Sequence, residues 1–286
     1  MFNPKAIGKD KRQMKALTGL TLKEFEILLL KFILFLPLKL PRGKKPVLQS
    51  ARDKLFFILY YLKCYPTVDV AASIYQVDRA QISRWYNQLK PVLEKALAKE
   101  LVLPERKVSN SFEFRRFFPR LKECFVDGTE RPINRPKKNS ANYYSGKKHL
   151  FTLENLILSD KRKEVLILTK TVSGKNHDYG IFKQGDIDIP SDVKLWLDLG
   201  FLGIGKDFPF VTYVMPYKKP RGGELTQEQK EENREISRVR VKVEHAICGI
   251  KRYNCVSHKY RNKGIRKADG FMLLATGLWN FHLKYA

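Results

Sequence analysis

Residues 121–172 hold three apolar runs set close together: LKECFVDG (121–128), HLFTLENLILS (149–159) and EVLILTKTV (164–172). Short turns separate them, and their β-branched and aromatic content marks three successive strands. Downstream, HDYGIFKQG (177–185) reads as a short helix, VKLWLDLG (193–200) as a fourth strand and FPFVTYVMP (208–216) as a fifth. A long helix begins at Thr226, where Gln229 completes a capping box, and runs to about Tyr253. Strands followed by a helix, a further strand and a long helix describe an α/β domain.

Upstream the texture is helical. Thr21 and Glu24 stand at capping-box spacing ahead of an apolar run to residue 36, and ARDKLFFILYYLK (51–63) is apolar nearly all round, as a buried helix would be. Between them KLPRGKKP (39–46) reads as a basic loop. From Thr67 to Leu89 two short helices are predicted, one capped by Thr67 and the other by Asp78 with Gln81. Ala72, Val77, Ile82 and Trp85 fall where a helix-turn-helix packs its two helices together. Arg79, Ser83, Arg84 and Asn87 are left on the outer face of the second helix, where a major groove admits them. Two ordinary core helices remain the competing reading, and the turn position that often carries Gly is Gln76. The stretch LVLPERKVSN (101–110) reads as linker, so the expected organisation is a helical domain over 1–100, a linker over 101–118 and the α/β domain over 119–286.

Fifty-five Lys and Arg oppose 29 Asp and Glu, leaving +26 on 286 residues. An apolar content of 43%, with eighteen Phe and thirteen Tyr, excludes a disordered basic tail. A folded chain that keeps such charge against its own repulsion meets a polyanion, nucleic acid first and an anionic membrane surface second. Four dispersed Cys are too few for a secreted disulfide scaffold. The most lipid-like run, Ile27 to Leu38, is broken by Lys31 and Pro37 and is shorter than the ~20 residues a spanning helix needs. The expectation is a soluble cytoplasmic protein, nucleoid-associated if bacterial, with no membrane partner.

Asp127 and Asp198 each close an apolar run and are followed at once, or nearly so, by Gly. If those two strands are parallel neighbours, both carboxylates open onto one sheet edge, the usual place for α/β chemistry. Asp-Gly also starts ordinary turns, and that reading stands for either residue alone. On the long helix, Ile236, Val239, Val243, Ala246 and Ile250 form an apolar stripe, and Arg240, Glu244 and Lys251 lie within roughly a 40° arc beside it. Glu244 then sits at the rim of the buried face, as half of an ion pair with Arg240 or leaning over the sheet edge. Three such carboxylates beside a basic surface suit Mg²⁺, two ions of which serve phosphodiester cleavage.

The ordered set FVDGTERPI (125–133), YYSGKKH (143–149), GKNHDYGIF (174–182), DLGFLG (198–203), VMPYKKPRGGELT (214–226) and RVKVEHAICGIKRY (240–253) resembles the DDE transposases of bacterial insertion sequences, in the branch similar to Harbinger transposases. The helix-turn-helix also resembles that family's N-terminal DNA-binding segment. The resemblance implies an RNase H-like catalytic domain, a mixed five-stranded sheet flanked by helices, with Asp127, Asp198 and Glu244 as catalytic and metal-binding residues. Two Mg²⁺ ions per site are implied, with Mn²⁺ able to substitute. Double-stranded DNA, as element ends and target, is the implied partner, handled by a homodimer or larger assembly. Residues 131–149 carry six Lys or Arg and no acid, and residues 245–268 carry seven and no acid. Lys147, Lys148, Arg240, Lys251 and Arg252 are accordingly expected to touch phosphates, beside the groove-facing Arg79, Ser83, Arg84 and Asn87.

Asp178 in GKNHDYG is the rival of Asp198 for the second position, and a helix-start role is the expectation for it. His245, Cys248, Cys255 and His258 have a spacing that invites a zinc reading, which their place in and after one helix disfavours. The expected function is a transposase that binds terminal inverted repeats and performs Mg²⁺-dependent strand cleavage and transfer. The alternative is a DNA-binding regulator descended from one, its catalysis lapsed.

Overall fold

The computed structural model describes residues 7, 10–37, 46–185 and 187–286, so all but the last residue of the expected 39–46 loop lies outside the described residues. Two compact units emerge. The first contains the described residues up to Leu103 together with Ile250–His258 and Gly270–Ala286; the second contains Pro104–Gly249 and Lys259–Asp269.

The first unit opens with α1 (Lys11–Thr18) and α2 (Leu22–Leu34), the latter started by the expected capping box of Thr21 and Glu24. Next comes α3 (Ala51–Cys64), where eight consecutive residues from Leu55 to Leu62 are buried, as its all-round apolar sequence requires. Two further helices follow, α4 (Val68–Tyr75) and α5 (Arg79–Lys99). Phe57 of α3 meets Tyr75 and Trp85 edge-on at 5.3 and 5.2 Å, locking the inner faces of α4 and α5 onto the core. Their outer face stays free: Arg79, Ser83, Arg84 and Asn87 are all exposed. Thr67 caps α4 as expected, but Asp78 caps α5 by accepting from the Ala80 N–H at 2.7 Å, and Gln81 bonds Arg84 instead of closing a capping box. The short Asp side chain already satisfies the second amide of the turn, so Gln81 has no reciprocal role.

Gln76 ends α4 in the left-handed region, at φ 52° and ψ 50°, and its side chain is exposed. A Cβ disfavours that conformation, and Gly is the usual solution. Gln76→Gly is expected to raise stability by about 0.5–1 kcal/mol in a urea melt. A loss would show that the side chain matters more than the backbone.

The C-terminal residues were expected in the α/β domain but group with the helical unit. The cause is polar. His282 pairs with the buried Glu24, Asn280 donates to the Val102 carbonyl at 3.0 Å, and Lys284 and Tyr285 both bond Glu100.

In the second unit the expected linker is structured. Glu105 exchanges two backbone hydrogen bonds with Leu166 and Leu168, both 2.9 Å, and α6 (Ser111–Phe117) follows, capped by Asn110. The sheet is mixed and seven-stranded. It comprises β1 (Glu123–Pro132), β2 (Tyr144–Ser145), β3 (Leu150–Ser159), β4 (Val165–Leu168), β5 (Val172–Ser173), β6 (Lys194–Trp196) and β7 (Tyr213–Val214). The path runs β2-β3-β1-β6-β7, with β4 and β5 also paired to β3. The five expected strands are present, the third split into β4 and the start of β5, and β2 is additional. Between β5 and β6 lies α7 (Asp178–Gln184), after β6 comes α8 (Ile204–Asp207), and α9 (Gln227–Lys251) starts with the expected Thr226–Gln229 box. The chain closes with α10 (Asn254–Ser257) and α11 (Ile265–Tyr285). Among the described residues, no helix is long and apolar enough to cross a membrane.

One face of the sheet carries the core: Cys124 and Val126 of β1, Leu156 and Leu158 of β3 and Leu195 of β6 pack with Ile181 and Phe182 of α7. On the other face Phe125 stacks on Trp196, and Lys242 of α9 lies 5.1 Å over the Phe125 ring. Alternation along β1 therefore turns Phe125 and Asp127 away from the core face and leaves Gly128 on it.

Candidate metal centre

β1 and β6 are parallel neighbours, with Phe125 opposite Trp196. Asp127 and Asp198 each follow by two residues, so they stand level where that pairing stops. Asp127 does not end its strand: β1 runs on to Pro132 along β3, its polar half paired from Thr129↔Asn155 to Pro132↔Thr152. Beyond β6 the backbone turns away, and Asp198 caps a short 3₁₀ turn by accepting from the Gly200 N–H at 2.8 Å. Asp127 Oδ1 accepts from Gly128 N–H at 2.9 Å.

The third carboxylate at this edge is Asp178. Asp127, Asp178 and Asp198, each half-buried, offer one oxygen apiece within 4.8 Å of one another. The expected helix-start position holds, since Asp178 is the first residue of α7. Asp178 and Asp198, weighed against each other from the sequence, lie in one cluster. Room for Asp178 comes from Gly128, where a Cβ would lie 1.7 Å from its Oδ1. Gly128 is thus no turn residue; it sits inside β1 opposite Leu156 and lets a carboxylate approach the backbone. A glycine within a strand was the signal the sequence offered.

Crowding acids together raises their pKa. Burial, with the charges of Asp198 and Asp178, pushes Asp127 up to about 6 against the opposing pull of Arg240. Glu154 of β3, buried at 5% exposure, is driven well above the carboxylate range by burial and by its hydrogen bond with Asp178. Sequence reasoning missed Glu154, which sits in an otherwise apolar run. Asp178 Oδ1 is fully buried and accepts from no backbone, amide or alcohol donor, its side-chain partner being the Glu154 carboxyl, and Arg240 Nε is buried without an acceptor.

Glu244 is not among the three clustered acids; its side chain is exposed on α9, one turn after Arg240, whose charge reaches Asp127. Lys147 and Lys148 are exposed in the turn before β3. Lys251 is half-buried at the end of α9, and Arg252 is engaged within the first unit, donating to the Gly19 carbonyl at 2.9 Å and lying over Trp279. On the exposed outer face of α5, Arg79 pairs with Asp69 at 2.9 Å. His245, Cys248, Cys255 and His258 form no metal-binding group among the described residues.

Three carboxylate oxygens within 4.8 Å of one another, one of them in a cradle that a Cβ at residue 128 would fill, are a hard-ligand set that fits a divalent cation of the Mg²⁺ type.

A family model described as DDE superfamily endonuclease matches residues 126–280, which include all three clustered aspartates and Glu244. A second, described as the helix-turn-helix of DDE superfamily endonuclease, matches residues 46–99. The chain is 29% identical over 241 residues, covering 84% of its own length and 83% of the relative's, to a "Probable transposase for insertion sequence element IS702" of Microchaete diplosiphon. No solved structure matches. A sheet edge bearing aspartates, preceded by an exposed recognition helix and matched over more than half its length, makes this chain a member of the DDE superfamily of endonucleases.

Proposed function

We propose that this protein is the transposase of a bacterial insertion sequence, binding terminal inverted repeats and cutting and joining DNA at the β1–β6 edge. The observation that carries the reading is the parallel register that sets Asp127 level with Asp198. Asp127 and Asp198, completed by Glu244, hold the cofactor, two Mg²⁺ ions or Mn²⁺ in their place. Bound there, such ions would supply Lewis-acid activation of the attacking oxygen and charge stabilisation of the leaving one. The β1 ladder fixes Asp127 and the turn after β6 fixes Asp198, and Arg240 and Lys251 hold the phosphates. Lys147, Lys148 and Arg252 add backbone contacts, while Arg79, Ser83, Arg84 and Asn87 read base edges from α5. Two element ends are handled together, so the acting species is a homodimer or larger assembly on DNA. The helical region to residue 100 supplies recognition and residues 119–286 catalysis.

A regulator with lapsed catalysis would gain nothing from half-buried acids that repel one another. The test is a nicking assay on a plasmid carrying the element's ends, with Mg²⁺. The wild type nicks, and Asp198→Asn, which keeps the shape but loses the charge, binds the same DNA without nicking it. Wild-type binding with no metal-dependent nicking returns the regulator.

A further inference from the structure

We propose that Asp178 is a further ligand of the metal centre, so that a divalent cation is held by Asp127, Asp178 and Asp198 together. This rests on the catalytic reading above. The three carboxylates already offer oxygens within 4.8 Å of one another, a separation that ligands about 2.0–2.1 Å from one octahedral ion can close.

A helix-start role does not account for this side chain. His177, not Asp178, is the N-cap of α7, and it makes no side-chain cap bond. Asp178 Oδ1 is buried and accepts from no backbone, amide or alcohol donor, and the side chain's hydrogen-bond partner is another acid, Glu154. Its Oδ2 faces Gly200, whose N–H is held by Asp198. The carboxylate enters a space that exists only because residue 128 has no side chain. Its helix is fixed as well: Ile181 and Phe182 are buried in the core, and the Tyr179 hydroxyl donates to Asp207 at 2.5 Å. A negative group anchored on a rigid element beside two others, in a space kept open by Gly128, is a ligand set prepared in advance.

Structural and ligand roles move two measurements in opposite directions. A structural Asp178 would make the metal-free Asp178→Asn protein melt lower and leave cation affinity alone. As a ligand, its neutralisation relieves repulsion and removes a donor. Mn²⁺ alone is titrated calorimetrically into the full chain without DNA, alongside melts of the metal-free proteins. Asp178→Asn should bind Mn²⁺ at least roughly tenfold more weakly, with an unchanged or higher melting temperature. Affinity equal to wild type, while Asp198→Asn is weakened, overturns this assignment and leaves the proposed function standing. A wild type that binds no Mn²⁺ overturns both. If Asp178→Asn does not fold, Asp178→Ser is read the same way, and failure of both to fold assigns Asp178 to the architecture and overturns the proposal.

Discussion

Asp127→Asn is expected to make the metal-free protein more stable at pH 8 while reducing Mg²⁺-dependent strand cleavage at least about a hundredfold, the scale of one lost transition-state contact. The stability gain follows from the raised pKa. Asp127 titrates near 6 in the folded protein, chiefly because it is buried and then because Asp198 and Asp178 repel its charge, against 3.8 when unperturbed. A carboxyl raised in the folded state contributes stability that is fully present below the unfolded value and lost as pH rises through the folded one. At pH 8 the ionised group is therefore a net liability of up to about 3 kcal/mol. Asn removes the charge and keeps an oxygen for the Gly128 N–H. Urea melts at pH 5 and pH 8 check the sign: the advantage of Asp127→Asn should be large at pH 8 and should shrink as the wild-type carboxyl gains its proton. A variant less stable than wild type at pH 8 would show that Asp127 is not under electrostatic strain.

Gly128→Ala is the second large effect. A methyl group there would stand 1.7 Å from Asp178 Oδ1 and 2.6 Å from its Cγ. The strand has little freedom to yield, because β1 is paired to β3 on both sides of Gly128. Nor does α7 slide easily with Ile181 and Phe182 in the core. The carboxylate must swing out. Cleavage should fall about a hundredfold, as for a misplacement of around 1 Å at a reacting centre. Stability should fall by about 1–3 kcal/mol, as for a side chain forced into a filled space. A nicking assay beside a urea melt separates the two, and wild-type cleavage would show that Asp178 is not needed where it lies.

Local signals in the sequence carried much of this. The caps at Thr21, Thr67 and Thr226 and the apolar runs of β1, β3 and β6 are short-range patterns, and each sits where its pattern points. Asp127 and Asp198 were legible as strand-linked acids because apolar residues precede them. What failed to show depends on partners far along the chain. The polar stretch Thr129–Pro132 reads as a turn until β3 is there to pair with it. Asp178 looks like a helix start until the sheet carries Asp127 and Asp198 beneath it. Ties such as Tyr285 to Glu100 leave no periodicity to read, so the packing of the C-terminal helix with the helical unit does not show in the sequence.

That same tie has a consequence for synthesis. The helical unit is discontinuous in the chain: Tyr65 and Tyr86 pack on Phe271, at 5.6 and 5.3 Å, across nearly the whole intervening sequence. As the ribosome works at several residues per second, the early helices emerge with an aromatic face that has nothing to cover it for many seconds. Residues 104–249 leave the exit tunnel and can fold in the meantime. Helix α5 therefore gains its finished support only when residues 270–286 arrive, and a nascent chain truncated before Phe271 lacks the last layer beneath the helix-turn-helix.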